Sequence, residues 1–243
     1  ALEASGRPKL ESRDAVFAPQ LSGWQPYGTL EMAGPMLFQL QARRLREPAR
    51  WRSACDVGAG TGRMAAWLSK AWGFEARALD IMKPNRPEYD VELFDGRRLP
   101  LADKSVDCVL FSFVLHHCRH FEAQRALLNE AARVCRGLVL IAEDTPADER
   151  DRRSTKGHDR LGTFHDAAAW RASFRRLQLE LVHDGPLWFG PKHKSSPYPC
   201  TRRYFVLQVP SWLRPQAALG SALLGLGRGG CCQAPAVVGE GGE

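Results

Sequence analysis

The chain has 243 residues, 44% hydrophobic and 25% charged, and carries a net charge of +7. That is enough chain and apolar content for one sizeable core with appendages, while no apolar run approaches the ~20 residues that a bilayer-spanning helix needs. Seven cysteines without a C-x-x-C pair or regular spacing argue against a disulfide framework. A reducing compartment is therefore expected, and with it a cytoplasmic location.

Residues 1 to 50 show no clear strand. They contain the turn-rich, aromatic stretch SGWQPYGTLE and a helix expected at Met36 to Arg46, ended by Pro48. From residue 51 strands and helices alternate. SACDV (53 to 57) is a short strand running into a glycine turn. GRMAAWLSKAW (62 to 72) is helical, with Met64, Trp67, Leu68 and Ala71 on one apolar stripe. FEARALD (74 to 80) and DVELFD (90 to 95) alternate as strands, and VDCVLFSFVL (106 to 115) is apolar nearly throughout, as a strand buried on both faces should be. HFEAQRALLNEAARVCR (120 to 136) has a strong helical pattern, and GLVLIAED (137 to 144) is another buried strand. A long polar connection, TPADERDRRSTKGHDRLGTFH, leads to a helix over about 164 to 177, and LQLELVHDG and RRYFVLQV are two further strands.

Alternation of this kind predicts an α/β fold, with a mainly parallel sheet covered by helices on both faces through right-handed crossovers. The last two strands have no helix between them and are expected to pair antiparallel at one edge. We divide the chain into an N-terminal lid or helical segment (1–50), a main domain (51–210) and a Gly- and Ala-rich tail (211–243) expected to be disordered. The acid-free stretch from Pro191 to Arg203 carries Lys192, Lys194, Arg202 and Arg203. Such a patch can attract anions or nucleic acid, but a solubilising surface is the expectation.

The stretch CDVGAGTGRM sets glycines at 58, 60 and 62 directly after a strand, where backbone freedom permits a tight turn against a ligand. A phosphate-cradling loop would need a lysine and a Ser/Thr after the last glycine, and neither is there. A dinucleotide site would read G-x-G-x-x-G; this one reads G-x-G-x-G, and Asp56 before it would repel a pyrophosphate but suit a cationic amino group. Asp80 ends the next strand, where an acid can accept from ribose hydroxyls. Asp95 ends the third predicted strand, where it can take an adenine amine. Amino group, ribose and adenine in that order describe S-adenosylmethionine better than NAD.

The segments DVGAGTG, ALD, FDGRRLPLADKSVDCVLFSFVLHH and LLNEAARVCRGLVLIAED resemble the class I S-adenosylmethionine-dependent methyltransferases, of the ubiquinone-biosynthesis-like, type 11 domain group. The resemblance implies a Rossmann-like seven-stranded sheet whose last strand is antiparallel. It implies S-adenosylmethionine as cofactor, with Asp56, Gly58, Gly60 and Gly62 at its methionine part, Asp80 at the ribose, and Asp95 with Gly96 at the adenine. The group's usual Pro-Gly-Gly turn before the fifth strand is replaced by RVCRGLVL. An N-terminal segment such as 1–50 often closes over the cofactor, which makes Tyr27 a candidate lid contact.

Methyl transfer from a sulfonium asks for in-line positioning and, for some acceptors, removal of a proton. His117 is the candidate base, although a structural role for the LHH segment is favoured. His116, Glu143, His158 and His165 are candidates for contact with the acceptor. Adjacent histidines on a strand end point apart and no second ligand pair has suitable spacing, so no metal is expected. The function expected is methyl transfer to a small molecule. The alternatives are an RNA or protein substrate, or a silent scaffold. Against RNA, FSFVL stands where an Asn-Pro-Pro-Tyr-like signature would be, and no RNA-binding module is visible.

Overall fold

The computed structural model describes residues 51–187 and 201–211. Tyr27, the helix expected at Met36 to Arg46 and nearly all of the Gly- and Ala-rich tail lie outside the described residues. In chain order the elements are β1 (Ser53–Val57), α1 (Arg63–Trp72), β2 (Glu75–Asp80), β3 (Val91–Leu93), β4 (Val106–Ser112), α2 (Phe121–Val134), β5 (Cys135–Asp144), α3 (Glu149–His158), α4 (Ala167–Arg176), β6 (Glu180–Pro186) and β7 (Arg202–Gln208). The strands form one seven-stranded sheet in the order β3-β2-β1-β4-β5-β7-β6. Strands β3 to β5 pair parallel, and β7 runs antiparallel to both β5 and β6. The α/β architecture and its antiparallel strand therefore stand as the sequence implies.

Alternation along each strand sends successive side chains to opposite faces. On one face Cys55, Val57, Val109, Phe111, Val139, Ile141 and Phe205 pack against Leu127, Leu128 and Ala131 of α2 and against Trp170 and Phe174 of α4. On the other, Ala54, Ala78, Cys108, Leu110 and Leu140 pack with Met64, Ala65 and Leu68 of α1. Leu127, Phe174 and Phe205 are fully buried, and burial on that scale contributes ~1.5–3 kcal/mol per side chain. Met64, Trp67 and Leu68 of the stripe read on α1 belong to the packing on the α1 face, and Trp170 and Phe174 to the core on the other face. Cys55, Cys108, Cys118 and Cys135 are buried free thiols.

Three element boundaries differ from the sequence-based expectation. Strand β3 stops at Leu93, so Asp95 lies beyond the strand, in a turn where its Oδ1 accepts from the N–H groups of Arg97 and Arg98, each at 2.8 Å. Strand β4 stops at Ser112. Phe113 takes a φ of 57° and donates its N–H to the Ala142 carbonyl, and Leu115–His117 form a 3-10 turn. The polar connection after β5 contains α3, which has no apolar stripe; it starts where the Asp148 side chain accepts from the Asp151 N–H. Two residues of the basic stretch, Arg202 and Arg203, lie on β7 and pair with Asp144 and Asp184.

Candidate functional site

Open parallel sheets bind ligands at the carboxyl ends of their strands, where the connection direction reverses. Here the order places β1 and β4 side by side at that point, with the glycine turn following β1. Gly58, Gly60 and Gly62 all have positive φ, at 73°, 56° and 78°. The turn is tied down by backbone bonds from Gly58 and Ala59 to the Leu79 carbonyl at 2.8 and 3.0 Å. The glycine at 58 is needed for space as well as conformation, because a Cβ there would come within 2.5 Å of Val114 Cγ2. At Gly60 a Cβ would meet nothing within 4 Å. Position 60 thus borders open space, as a ligand cradle requires. We expect Gly58→Ala to destabilise the fold by about 2–3 kcal/mol through overpacking and left-handed strain, checked by urea unfolding; an unchanged midpoint would show that Val114 yields freely.

Asp56 shares the α1 face with Ala54, and it is buried to 2% exposure. Among the described residues no hydrogen bond or ion pair reaches its carboxylate, and burial, then the nearby Asp80 charge, push its pKa up to about 7. Asp80 is buried as well. Its Oδ2 accepts from the Gly60 N–H at 2.8 Å and its Oδ1 from the Met82 N–H at 3.0 Å. Burial raises its pKa against the opposing effect of those backbone donors. Asp80 therefore holds the glycine turn to the end of β2. Gly96 is buried with a φ of 74° beside the exposed Asp95. The loop behind them is fixed by Arg133, which donates to the Leu99 and Leu101 carbonyls, and by Glu130, which accepts from the Leu99 N–H.

One residue that sequence reasoning did not single out belongs to the same edge. Ser112, on the α1 face like Cys108 and Leu110, has a buried Oγ with no partner among the described residues. Together with Asp56 on the neighbouring strand it forms a row of buried polar groups lacking partners among the described residues. Such groups cost free energy unless a ligand or water meets them. The hydroxyl at the carboxyl end of β4 is the signal that could have found it.

Glu143, fully buried on β5, is committed elsewhere. Its Oε1 accepts from the N–H groups of Val114 and Leu115 at 3.1 and 2.7 Å, and its Oε2 meets His116 Nδ1 at 2.6 Å. Both oxygens thus organise the turn after β4. Burial lowers the His116 pKa, but the Glu143 charge and hydrogen bond outweigh it and the net direction is up. His117 Nδ1 lies 3.0 Å from Asp159 Oδ2, and burial with the neighbouring His116 charge pushes its pKa down. The Asp159 carboxyl is pulled below the usual range because the His117 hydrogen bond and charge overcome its burial.

The connection from β5 folds back over this turn. Thr163 donates its N–H to the His116 carbonyl at 2.7 Å, and Phe164 stacks on the His116 ring. His165, a predicted acceptor contact, is 2.7 Å from Gln124 Oε1 and sits edge-on to Trp170. It packs α4 to α2 and is not brought to the glycine turn by any contact described. His158 closes α3, its side chain outside the described features. The two adjacent histidines do not point apart as expected for a strand end. On the 3-10 turn their ring centroids are 4.1 Å apart, and Asp159 joins them.

A family model described as a methyltransferase domain matches residues 55–140. Comparison with curated proteins gives no match. Among solved structures, the magnesium protoporphyrin IX methyltransferase ChlM from Synechocystis PCC 6803, with bound SAH, is 15% identical with a TM-score of 0.52, covering 78% of this chain and 90% of that one. A geranyl diphosphate methyltransferase in complex with GPP and sinefungin has 8% identity and a TM-score of 0.55, covering 73% and 77%. The [4+2]-cyclase SpnF has 15% identity and a TM-score of 0.53, covering 73% and 82%. At such identities the likeness shows the fold alone, and the presence of a cyclase in the set means that chemistry must be argued from the site.

Proposed function

We propose that this chain, which carries a methyltransferase domain on the class I S-adenosylmethionine-dependent methyltransferase fold, transfers a methyl group from S-adenosylmethionine to a small molecule. The observation that carries the reading is Asp56: a buried carboxylate that no hydrogen bond or ion pair reaches among the described residues, one strand from Asp80 and next to a glycine turn that borders open space. These residues fit the cofactor. A cationic amino group would supply the charge partner that Asp56 lacks, and a pyrophosphate in its place would be repelled. Asp80 keeps lone pairs for ribose hydroxyls beyond those used by Gly60 and Met82, and Asp95 with Gly96 stands at the next turn for the adenine. The bound cofactor supplies an already activated sulfonium methyl.

The chain's own task is then to position the acceptor. Ser112 offers a hydroxyl at the end of β4 for that purpose, and the His116–His117 turn, held rigid by Glu143, forms the adjoining wall. A small-molecule acceptor is favoured over nucleic acid because, among the described residues of the basic stretch, Arg202 pairs with Asp144 and Arg203 with Asp184, which also takes Arg171. Isothermal titration tests the reading: S-adenosylhomocysteine is expected to bind one per chain and NAD far more weakly. Binding of NAD with S-adenosylhomocysteine ignored would sink it.

A further inference from the structure

We propose that His116, His117 and Asp159 form a binding site for a divalent first-row transition ion, held by two imidazole nitrogens and one carboxylate oxygen. One ring nitrogen of each histidine and a carboxylate oxygen of Asp159 all lie within 4.8 Å of one another. His117 Nδ1 and Asp159 Oδ2 are 3.0 Å apart. In the metal-free chain this contact is a hydrogen bond; an ion at bond lengths of ~2.0–2.2 Å holds two donors ~3.0–3.5 Å apart, so it can replace the shared proton with little movement of either side chain. The remaining donor, from His116, lies within 4.8 Å of both.

What surrounds His116 matches what a ligating histidine needs. Its Nδ1 faces the fully buried Glu143 at 2.6 Å, so Nδ1 carries the proton and the other ring nitrogen keeps its lone pair for the ion. Carboxylate–histidine pairs of this kind fix the tautomer and raise the basicity of metal ligands. Phe164 stacks on the face of the ring and leaves its edge, where the nitrogens are. Three protein donors leave coordination positions for water or for an acceptor oxygen, the arrangement of catalytic rather than structural sites. Imidazole with carboxylate selects Zn²⁺, Fe²⁺, Co²⁺ or Mn²⁺ over Ca²⁺ or Mg²⁺.

The three donors come from separate pieces of chain. His116 and His117 sit on the turn after β4, and Asp159 directly follows α3, 42 residues beyond His117. An ion here would fasten the polar connection to the sheet edge.

The test uses chelator-treated full chain and Zn²⁺ by titration calorimetry, with Co²⁺ as a spectroscopic probe, both without cofactor, so that its result does not depend on the methyltransferase reading. One ion per chain is expected, with a visible Co²⁺ absorption band indicating nitrogen ligands. Asp159→Ala and His117→Ala, both partly exposed positions, are each expected to weaken binding at least tenfold, with circular dichroism and melting confirming the fold. Should His117→Ala fail to fold, Asp159→Asn gives the same reading. No stoichiometric ion in folded protein, or an ion that stays bound with unchanged affinity in the folded variants, overturns the proposal.

Discussion

Asp56→Asn is expected to make the protein more stable at pH 8 and worse at holding S-adenosylhomocysteine. The Asp56 carboxyl has its pKa raised from 3.8 to about 7 by burial and by the Asp80 charge. A carboxyl raised in this way binds its proton more tightly in the folded than in the unfolded state. Stability therefore falls as pH climbs from about 4 to about 7 and levels off above. At 1.36 kcal/mol per pKa unit, the ionised side chain costs on the order of 4 kcal/mol at pH 8, an upper limit. Asparagine cannot ionise and escapes that cost, so the variant should melt several degrees higher at pH 8, the difference shrinking with falling pH and closing only below about pH 4. The same replacement removes the charge partner of a cationic amino group, and a lost charge-assisted contact lowers affinity by ~10–100-fold. Thermal melts across pH and calorimetric titration check both halves. A variant less stable than its parent at pH 8 would mean that the carboxylate has a partner after all.

Asp80→Ala is expected to cost about 2–4 kcal/mol of cofactor affinity, roughly 30- to 1,000-fold. Two losses combine. Ribose hydroxyls lose an anionic acceptor, and the Gly60 N–H, now held by Oδ2 at 2.8 Å, is released so that the glycine turn loosens. Asp80→Asn separates them, because the amide oxygen can still accept from Gly60 while the charge is gone. It should fall between the parent and the alanine variant. Equal affinity in parent and Asp80→Ala would reduce this acid to a turn anchor.

The strands of this fold are legible where they are apolar on both sides. VDCVLFS and GLVLIAED leave little choice but a buried parallel sheet, and RRYFVLQV with no helix before it marks the antiparallel strand. The positions of the two acids proposed to meet the cofactor were legible as well, because Asp56 is the penultimate residue of β1 and Asp80 the last of β2, and strand ends can be read from the sequence. Asp95 was placed on a strand because DVELFD alternates, yet only Val91–Leu93 find a ladder partner on β2. The run FSFVLHH hid the break at Phe113: its β-forming residues cannot announce a positive φ, which here is imposed by the Ala142 carbonyl and by Glu143 collecting N–H groups from across the sheet. For the same reason the meeting of His116 and His117 with Asp159 could not be seen, since it joins residues brought together only by the returning connection. Helix α3 lacks any apolar period, and only its Asp148 cap with Asp151 three residues on gave notice of it.

The sheet order has a bearing on how the chain acquires its shape during synthesis. Strand β6 leaves the ribosome before β7, yet among the described residues β7 is its only partner in the sheet, pairing from Glu180↔Gln208 to Pro186↔Arg203. Strands β1 to β5 can assemble among themselves as they emerge, whereas β6 has no edge to join until residue 208 has been made. Until then the β5 edge is open too, from Leu138 to Asp144, a largely apolar segment awaiting the antiparallel run of β7. Completion is thus a late capture of two strands by one, across 58 to 70 residues for β5 and 17 to 28 for β6. Such non-local closure is slow, and in the interval that open edge is the place where a second nascent chain would pair.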